Sequence, residues 1–181
     1  MAEIVSFAND PQRKRLHEML TGTEFFDSNF TEVFGEKLAL LLKQECSVLL
    51  GHVMLDVLEE AGISPDDIQG IGAKMPFSAI IATSIIHAAS SRGQDLDAFC
   101  YQQPQKVDGK IVTKTASPFS LDGASVVLLI TKGDTPREVM KIVEGLENAG
   151  ARVRALLSLI SHPQNDIETF EAASLLYLYV F

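Results

Sequence analysis

Ala124-Ser-Val-Val-Leu-Leu-Ile130 is a short, unbroken apolar run rich in β-branched residues, the pattern of a strand buried on both faces. The polar turn Thr131-Lys-Gly-Asp-Thr-Pro136 ends it. A helical pattern follows, in which Val139, Ile142, Val143, Leu146 and Ala149 recur at helical spacing and Gly150 stands where a C-terminal cap belongs. Ala151 to Ile160 then reads as a second strand. Strand, turn, helix and strand make one βαβ unit, which requires parallel strands and a right-handed crossover.

Working outward, Ile68 to Ala73 reads as the first strand of the same sheet and Lys74 to Phe77 as the loop at its end. Ser78 to Ser91 is a helix stopped by Gly93, apolar all round and so buried against the sheet or another subunit. Leu96 to Tyr101 is a further strand. Residues 102–120 are polar and read as a flap, with Val107-Asp-Gly-Lys110 as a hairpin turn. Beyond the central unit come a loop from His162 to Asp166, a helix from Ile167 to Ala173 and an apolar strand from Leu175 to Phe181. Upstream, Asp10 caps a helix that runs to Leu20 with Pro11 in its first turn. Residues 31–62 are helical nearly throughout, as one helix or as two joined near Ser47.

With 181 residues and 46% hydrophobic content the chain can build a single domain with a sizeable core. Its net charge of −9 and pI near 4.8 oppose a nucleic-acid or anionic-membrane surface. Arg13-Lys14-Arg15 reads as the solvated side of the first helix. No apolar run has the length of a membrane span. Cys46 and Cys100 lack a partner motif and read as buried free thiols, which suits a reducing cytoplasm. His17, His52, His87 and His162 share no ligand spacing, so no metal site is expected, and His87 reads as a hydrogen-bonded core histidine.

In open α/β sheets ligands sit at the carboxyl ends of the strands, where the next helix offers unpaired amides to an anion. Here Thr135-Pro-Arg-Glu138 fits a capping box, with Thr135 as N-cap and Glu138 as the reciprocal acceptor, and Pro136 removes one donor. The residues make a sound helix start and a poor anion cradle.

The run from Val126 to Gly150, with Ala151-Arg-Val-Arg-Ala-Leu-Leu157, resembles the phosphoribosyl-diphosphate motif region of the type I phosphoribosyltransferases. Among these it most resembles the orotate phosphoribosyltransferases. Ile71 to Ala88, Asp97-Ala-Phe-Cys-Tyr101 and Phe25-Phe-Asp27 agree with further stretches of that family, and the likeness runs in order from about Phe25 to Leu178. The resemblance implies an α/β, doubly wound, mostly parallel central sheet with helices on both faces. It also implies a small hood from residues 1–30 and 163–181, and a homodimer.

The resemblance also marks where the chemistry should be. The family's acidic pair, which holds the ribose hydroxyls, falls on Ile130 and Thr131. Its small-residue phosphate loop falls on Asp134-Thr-Pro-Arg-Glu138, so Thr131, Lys132, Gly133, Asp134, Thr135 and Arg137 are the phosphate-loop equivalents. The diphosphate loop falls on Lys74 to Ser78, where Phe77 stands near an expected glycine and reads as a plug beside Lys74 and Ser78. The basic residues expected of the flap reduce to Lys106, Lys110 and Lys114, with Lys106 and Lys110 as weak catalytic candidates. Three sites thus depart in one direction, away from a polyanion. The sequence therefore points to a noncatalytic binding, regulatory or assembly protein, with a small nucleotide or phosphate as a possible ligand and no cofactor. The alternative is an active orotate or related phosphoribosyltransferase of pyrimidine nucleotide synthesis, using phosphoribosyl diphosphate and Mg²⁺ with Asp134 or Asp122 in a shifted register.

Overall fold

The computed structural model describes residues 10–21, 36–75 and 77–181. The described residues form a six-stranded sheet whose middle is the βαβ unit read from the sequence: β6 (Ser125–Leu129), α5 (Pro136–Glu147) and β7 (Arg152–Ser158). On one side of β6 lie β1 (Gly70–Lys74) and β2 (Asp97–Tyr101), joined by α4 (Phe77–Ser91). On the far side of β7 lies β8 (Tyr177–Tyr179), reached through α6 (Gln164–Ala172). These five strands are parallel, and the short β5 (Thr115–Ala116) closes the β2 edge antiparallel. Residues 163–181, expected in a hood, thus complete the central sheet beside β7.

The period-two alternation of a strand explains why both faces are covered. Val127, Leu129, Ala155 and Leu157 join a core shared with α4, with α3 (Gln44–Glu60) and with α1 (Pro11–Thr21). Val126, Leu128, Ile130 and Leu156 face the other way, onto Val139, Ile142, Val143 and Leu146 of α5 and Phe170 of α6. The crossing of α3 with α4 is close because its residues are small. A Cβ on Gly51 would run into the backbone carbonyl of Ser84, and the Ser47 and Ser84 hydroxyls lie 2.9 Å apart.

Several expectations change here. The helical stretch after residue 35 divides into α2 (Glu36–Leu41) and α3, with the break at Leu42 and Lys43 rather than near Ser47, which packs inside α3. Residues 31–35 and the Phe25-Phe-Asp27 stretch lie outside the described residues. Arg13 is not a solvated cation: it is buried and bonded to Glu60 at 2.6 Å, while Asp10 both caps α1 and pairs with it at 3.3 Å. Its aliphatic stem fills the α1–α3 contact while its charge is met by carboxylates. His87 is exposed rather than in the core, because the buried side of α4 is carried by Ile81, Ala82, Ile85, Ala88 and Ala89. Cys46 is buried, but Cys100 is only half so, with its Sγ 3.5 Å from the Met75 sulfur.

Candidate functional site

The chain leaves β1 toward β2 on one side and leaves β6 toward β7 on the other, so a crevice opens between the carboxyl ends of β1 and β6. In a doubly wound sheet this switch point is where ligands bind. Here the chain's own side chains bridge it. Lys74, the last residue of β1, sends its Nζ to within 2.9 Å of Asp134 Oδ1. From the end of β6, the Thr131 N–H and hydroxyl donate to Asp134 Oδ2, each at 2.8 Å. The Asp134 N–H donates back to the Thr131 carbonyl at 2.8 Å, so the turn is a closed ring of bonds. Asp134 is 4% exposed.

The start of α5 carries its own cap. The Thr135 N–H and hydroxyl donate to Glu138 Oε2 at 3.0 and 2.8 Å, and Glu138 N–H meets the Thr135 hydroxyl at 3.4 Å. This is the capping box expected from the sequence. The two donations from Thr135 hold the Glu138 carboxyl below the usual carboxylate range.

Behind the turn stands His162, buried between β7 and α6. Its backbone N–H donates to the Tyr177 hydroxyl oxygen at 2.8 Å, and its Nδ1 lies 2.8 Å from the same oxygen. Since the backbone donor takes one lone pair, the phenolic proton can be directed to Nδ1, leaving the ring proton on Nε2. Burial pulls the imidazole below its ordinary pKa, and the backbone of Asp134 and Thr131 together with the Asp166 charge offsets only part of this. Burial likewise pushes the Tyr177 phenol up to about 12.

Phe77 is half-buried at the start of α4 and Ser78 is buried. Together with Met54, Ile81, Leu129 to Lys132 and Ser158 to Ile160 they line a cavity of about 10 Å³ beneath α3 and α4 at the ends of β6 and β7. That holds a single water at most. Lys132, Gly133, Thr135 and Arg137 are exposed around the rim. The flap candidates are elsewhere. Lys106 on β3 (Gln105–Val107) and Lys110 on β4 (Lys110–Val112) belong to an exposed hairpin laid against the far half of α5. Asn148 donates to the Ile111 carbonyl at 3.0 Å, and a Cβ on Gly145 would strike the Thr113 hydroxyl. These contacts fall ten and thirteen residues past Thr135, roughly 15–20 Å along the helix. A larger open groove, about 470 Å³ with Val48, His52, Ile80 and His87 in its walls, lies between α3 and α4 rather than at the strand ends. Among the described residues no three His, Cys, Asp or Glu side chains are grouped to hold a metal ion, and no helix is long and apolar enough to cross a membrane.

No family model matches the chain. In sequence it is 27% identical over 143 residues to an orotate phosphoribosyltransferase of Streptomyces coelicolor, spanning 78% of this chain and 75% of that protein. To the orotate phosphoribosyltransferase of Bradyrhizobium diazoefficiens it is 24% identical over 167 residues, spanning 90% and 89% of the two. Its structure superposes on a crystal structure of Mycobacterium tuberculosis orotate phosphoribosyltransferase in complex with 5-phospho-α-D-ribosyl 1-diphosphate. The TM-score is 0.69 at 20% identity, covering 94% of this chain and 95% of that one. The chain has the type I phosphoribosyltransferase fold and resembles orotate phosphoribosyltransferases in sequence.

On the phosphoribosyltransferase frame, the structure brings together Lys74, Thr131, Asp134 and Phe77 and leaves Lys106 and Lys110 apart from them. Sequence reasoning found the Thr135–Glu138 box because its two members are three residues apart. It did not find the pairing of Lys74 with Asp134, which are sixty residues apart, nor the burial of His162. A lysine closing one strand and an aspartate closing the turn after another is the one trace these left in the sequence.

Proposed function

We propose that this chain is a noncatalytic phosphoribosyltransferase-fold protein, working as a homodimer through binding or assembly rather than through phosphoribosyl transfer. The observation that carries the reading is the crevice between β1 and β6, bridged by the Lys74–Asp134–Thr131 ring of bonds, in which Asp134 is 4% exposed. A phosphoribose needs open volume at the strand ends and unpaired amides; at the α5 start Glu138 already takes the Thr135 amide and Pro136 has none to offer. The residues present do not suit a Mg²⁺-diphosphate either. Ile130 and Thr131 stand where the family's acidic pair falls, and the buried carboxylate nearby, Asp134, is neutralised by Lys74. A charge-assisted hydrogen bond contributes ~1.5–3 kcal/mol, so a site that lacks several of them is weaker by many orders of magnitude in affinity.

Titration calorimetry with phosphoribosyl diphosphate and Mg²⁺ tests this. The expected result is no saturable heat at ~1 mM ligand, and submillimolar binding would overturn it. The competing reading, an active orotate phosphoribosyltransferase, is favoured by the sequence relatives, and it requires the Lys74–Asp134 pair to open. Orotidine monophosphate formed from orotate and phosphoribosyl diphosphate would establish it.

A further inference from the structure

Asp134 is held as a bound anion is held. Its Oδ1 faces the Lys74 ammonium from the end of β1 at 2.9 Å. Its Oδ2 faces an amide and a hydroxyl of Thr131, at the end of β6, each at 2.8 Å. One cation and two neutral donors, brought from two strands across the switch crevice, form the donor set that a carboxylate or phosphate oxygen requires. Asp134 belongs to neither strand. It lies in the turn before α5, and its carboxylate reaches the donors from there while remaining 4% exposed.

We propose that Asp134 is a tethered ligand, whose carboxylate fills an oxyanion receptor made by Lys74 and Thr131, and that a free oxyanion binds there once this side chain is removed. The inference rests on the closed-crevice reading above and names the residue that does the closing. A carboxylate attached three residues from its receptor competes at an effective concentration in the millimolar range or above. Free phosphate therefore does not displace it. Glu138 stays bonded to Thr135 at the start of α5 and adds a negative charge nearby, so the emptied receptor should prefer a small monoanion over a phosphate dianion.

The experiment is chemical rescue of Asp134→Ala with formate and with inorganic phosphate, against chloride at matched ionic strength, read as the thermal midpoint of unfolding. Formate should raise the midpoint of Asp134→Ala by several degrees and to saturation, with phosphate doing less. Wild type and the double variant Asp134→Ala/Lys74→Met should follow chloride. Asp134→Ser, which keeps an acceptor for the Thr131 amide, carries the same titration if Asp134→Ala does not fold in chloride. The proposal is overturned if the folded single variant shows no more anion response than wild type, or if the double variant responds equally. Saturable formate binding to wild type also overturns it, because the receptor would then be vacant. Binding of phosphoribosyl diphosphate to wild type would sink the closed-crevice reading instead, so the two failures are told apart.

Discussion

Lys74 turns its ammonium inward, to a carboxylate that is 4% exposed, while about a third of its own side chain remains in contact with solvent. Removing it leaves Asp134 buried with two neutral donors and no cation. Lys74→Met should therefore cost about 1–3 kcal/mol, below the full penalty of a wholly buried pair, seen as a lower urea midpoint with unchanged slope. His162 sets a pH dependence of definite sign. Its folded pKa is depressed by burial, so the unfolded chain takes up the proton first. Its contribution to stability is therefore intact above the ordinary histidine pKa of about 6.5 and is lost as pH falls below that value toward the depressed one. Urea midpoints from pH 8 to pH 5 check this: His162→Phe should flatten the wild-type decline between about pH 7 and 6 while leaving the carboxylate-driven loss at lower pH. The Thr135–Glu138 box was legible because capping follows local spacing. The Lys74–Asp134 and His162–Tyr177 pairings were not, because nothing local in a sequence reports which strand ends become neighbours.

At the scale of elements, the hairpin shows how far turn chemistry reaches. Asp108 and Gly109 adopt φ of 49° and 83°, the left-handed pair that a two-residue hairpin requires, and Val107-Asp-Gly-Lys110 announced it. Where the hairpin docks was not announced, since that depends on a glycine one helix away. Gly145 lets Thr113 approach α5, and any Cβ there meets the Thr113 hydroxyl. Two effects of opposite sign compete in Gly145→Ala. Helix propensity gains about 1 kcal/mol, while overpacking costs typically 1–3 kcal/mol. The added methyl lies within hydroxyl reach of a buried threonine, so overpacking should win and the hairpin should lift. Hydrogen exchange should then accelerate at 105–112 while β6 and β7 stay protected. Adding Thr113→Ala, which removes the hydroxyl but keeps the Cβ at 3.0 Å, should restore part of the protection, and equal exchange in the single variant and wild type would refute the docking argument. Thr135→Ala at the other end of α5 should cost ~1 kcal/mol through the missing cap, read as the same drop in urea and thermal unfolding.

For the whole molecule, the frame and the site have separate physical origins. The frame follows from apolar periodicity, so β6, α5 and β7 could be read from the sequence before any coordinates, and the switch point follows from strand order. What occupies the site does not follow from that periodicity: it depends on single residues at the end of β6 and in the turn after it, of which Ile130 and Asp134 are buried. Ile130 is 3% exposed and packs with Val139, Leu156 and Phe170, so the family's acidic residue cannot simply be put back. Ile130→Glu places a carboxylate in that cluster without a partner, which costs several kcal/mol out of the ~5–15 kcal/mol that a domain of this kind has. The expected outcome is a large drop in urea midpoint for Ile130→Glu alone. A graft can relieve the crevice by combining Thr131→Asp, Phe77→Gly, Asp134→Thr, Pro136→Gly, Arg137→Gly and Glu138→Ser, which reopens volume and frees the α5 amides. Calorimetry should detect phosphoribosyl diphosphate and Mg²⁺ binding to the graft and not to wild type. Transfer to orotate should still be absent, because Lys106 and Lys110 remain on a hairpin fastened to the far half of α5 by Asn148 and Thr113. Turnover by the graft would show that the hairpin leaves α5 readily, and that the distance between flap and crevice is no barrier to catalysis.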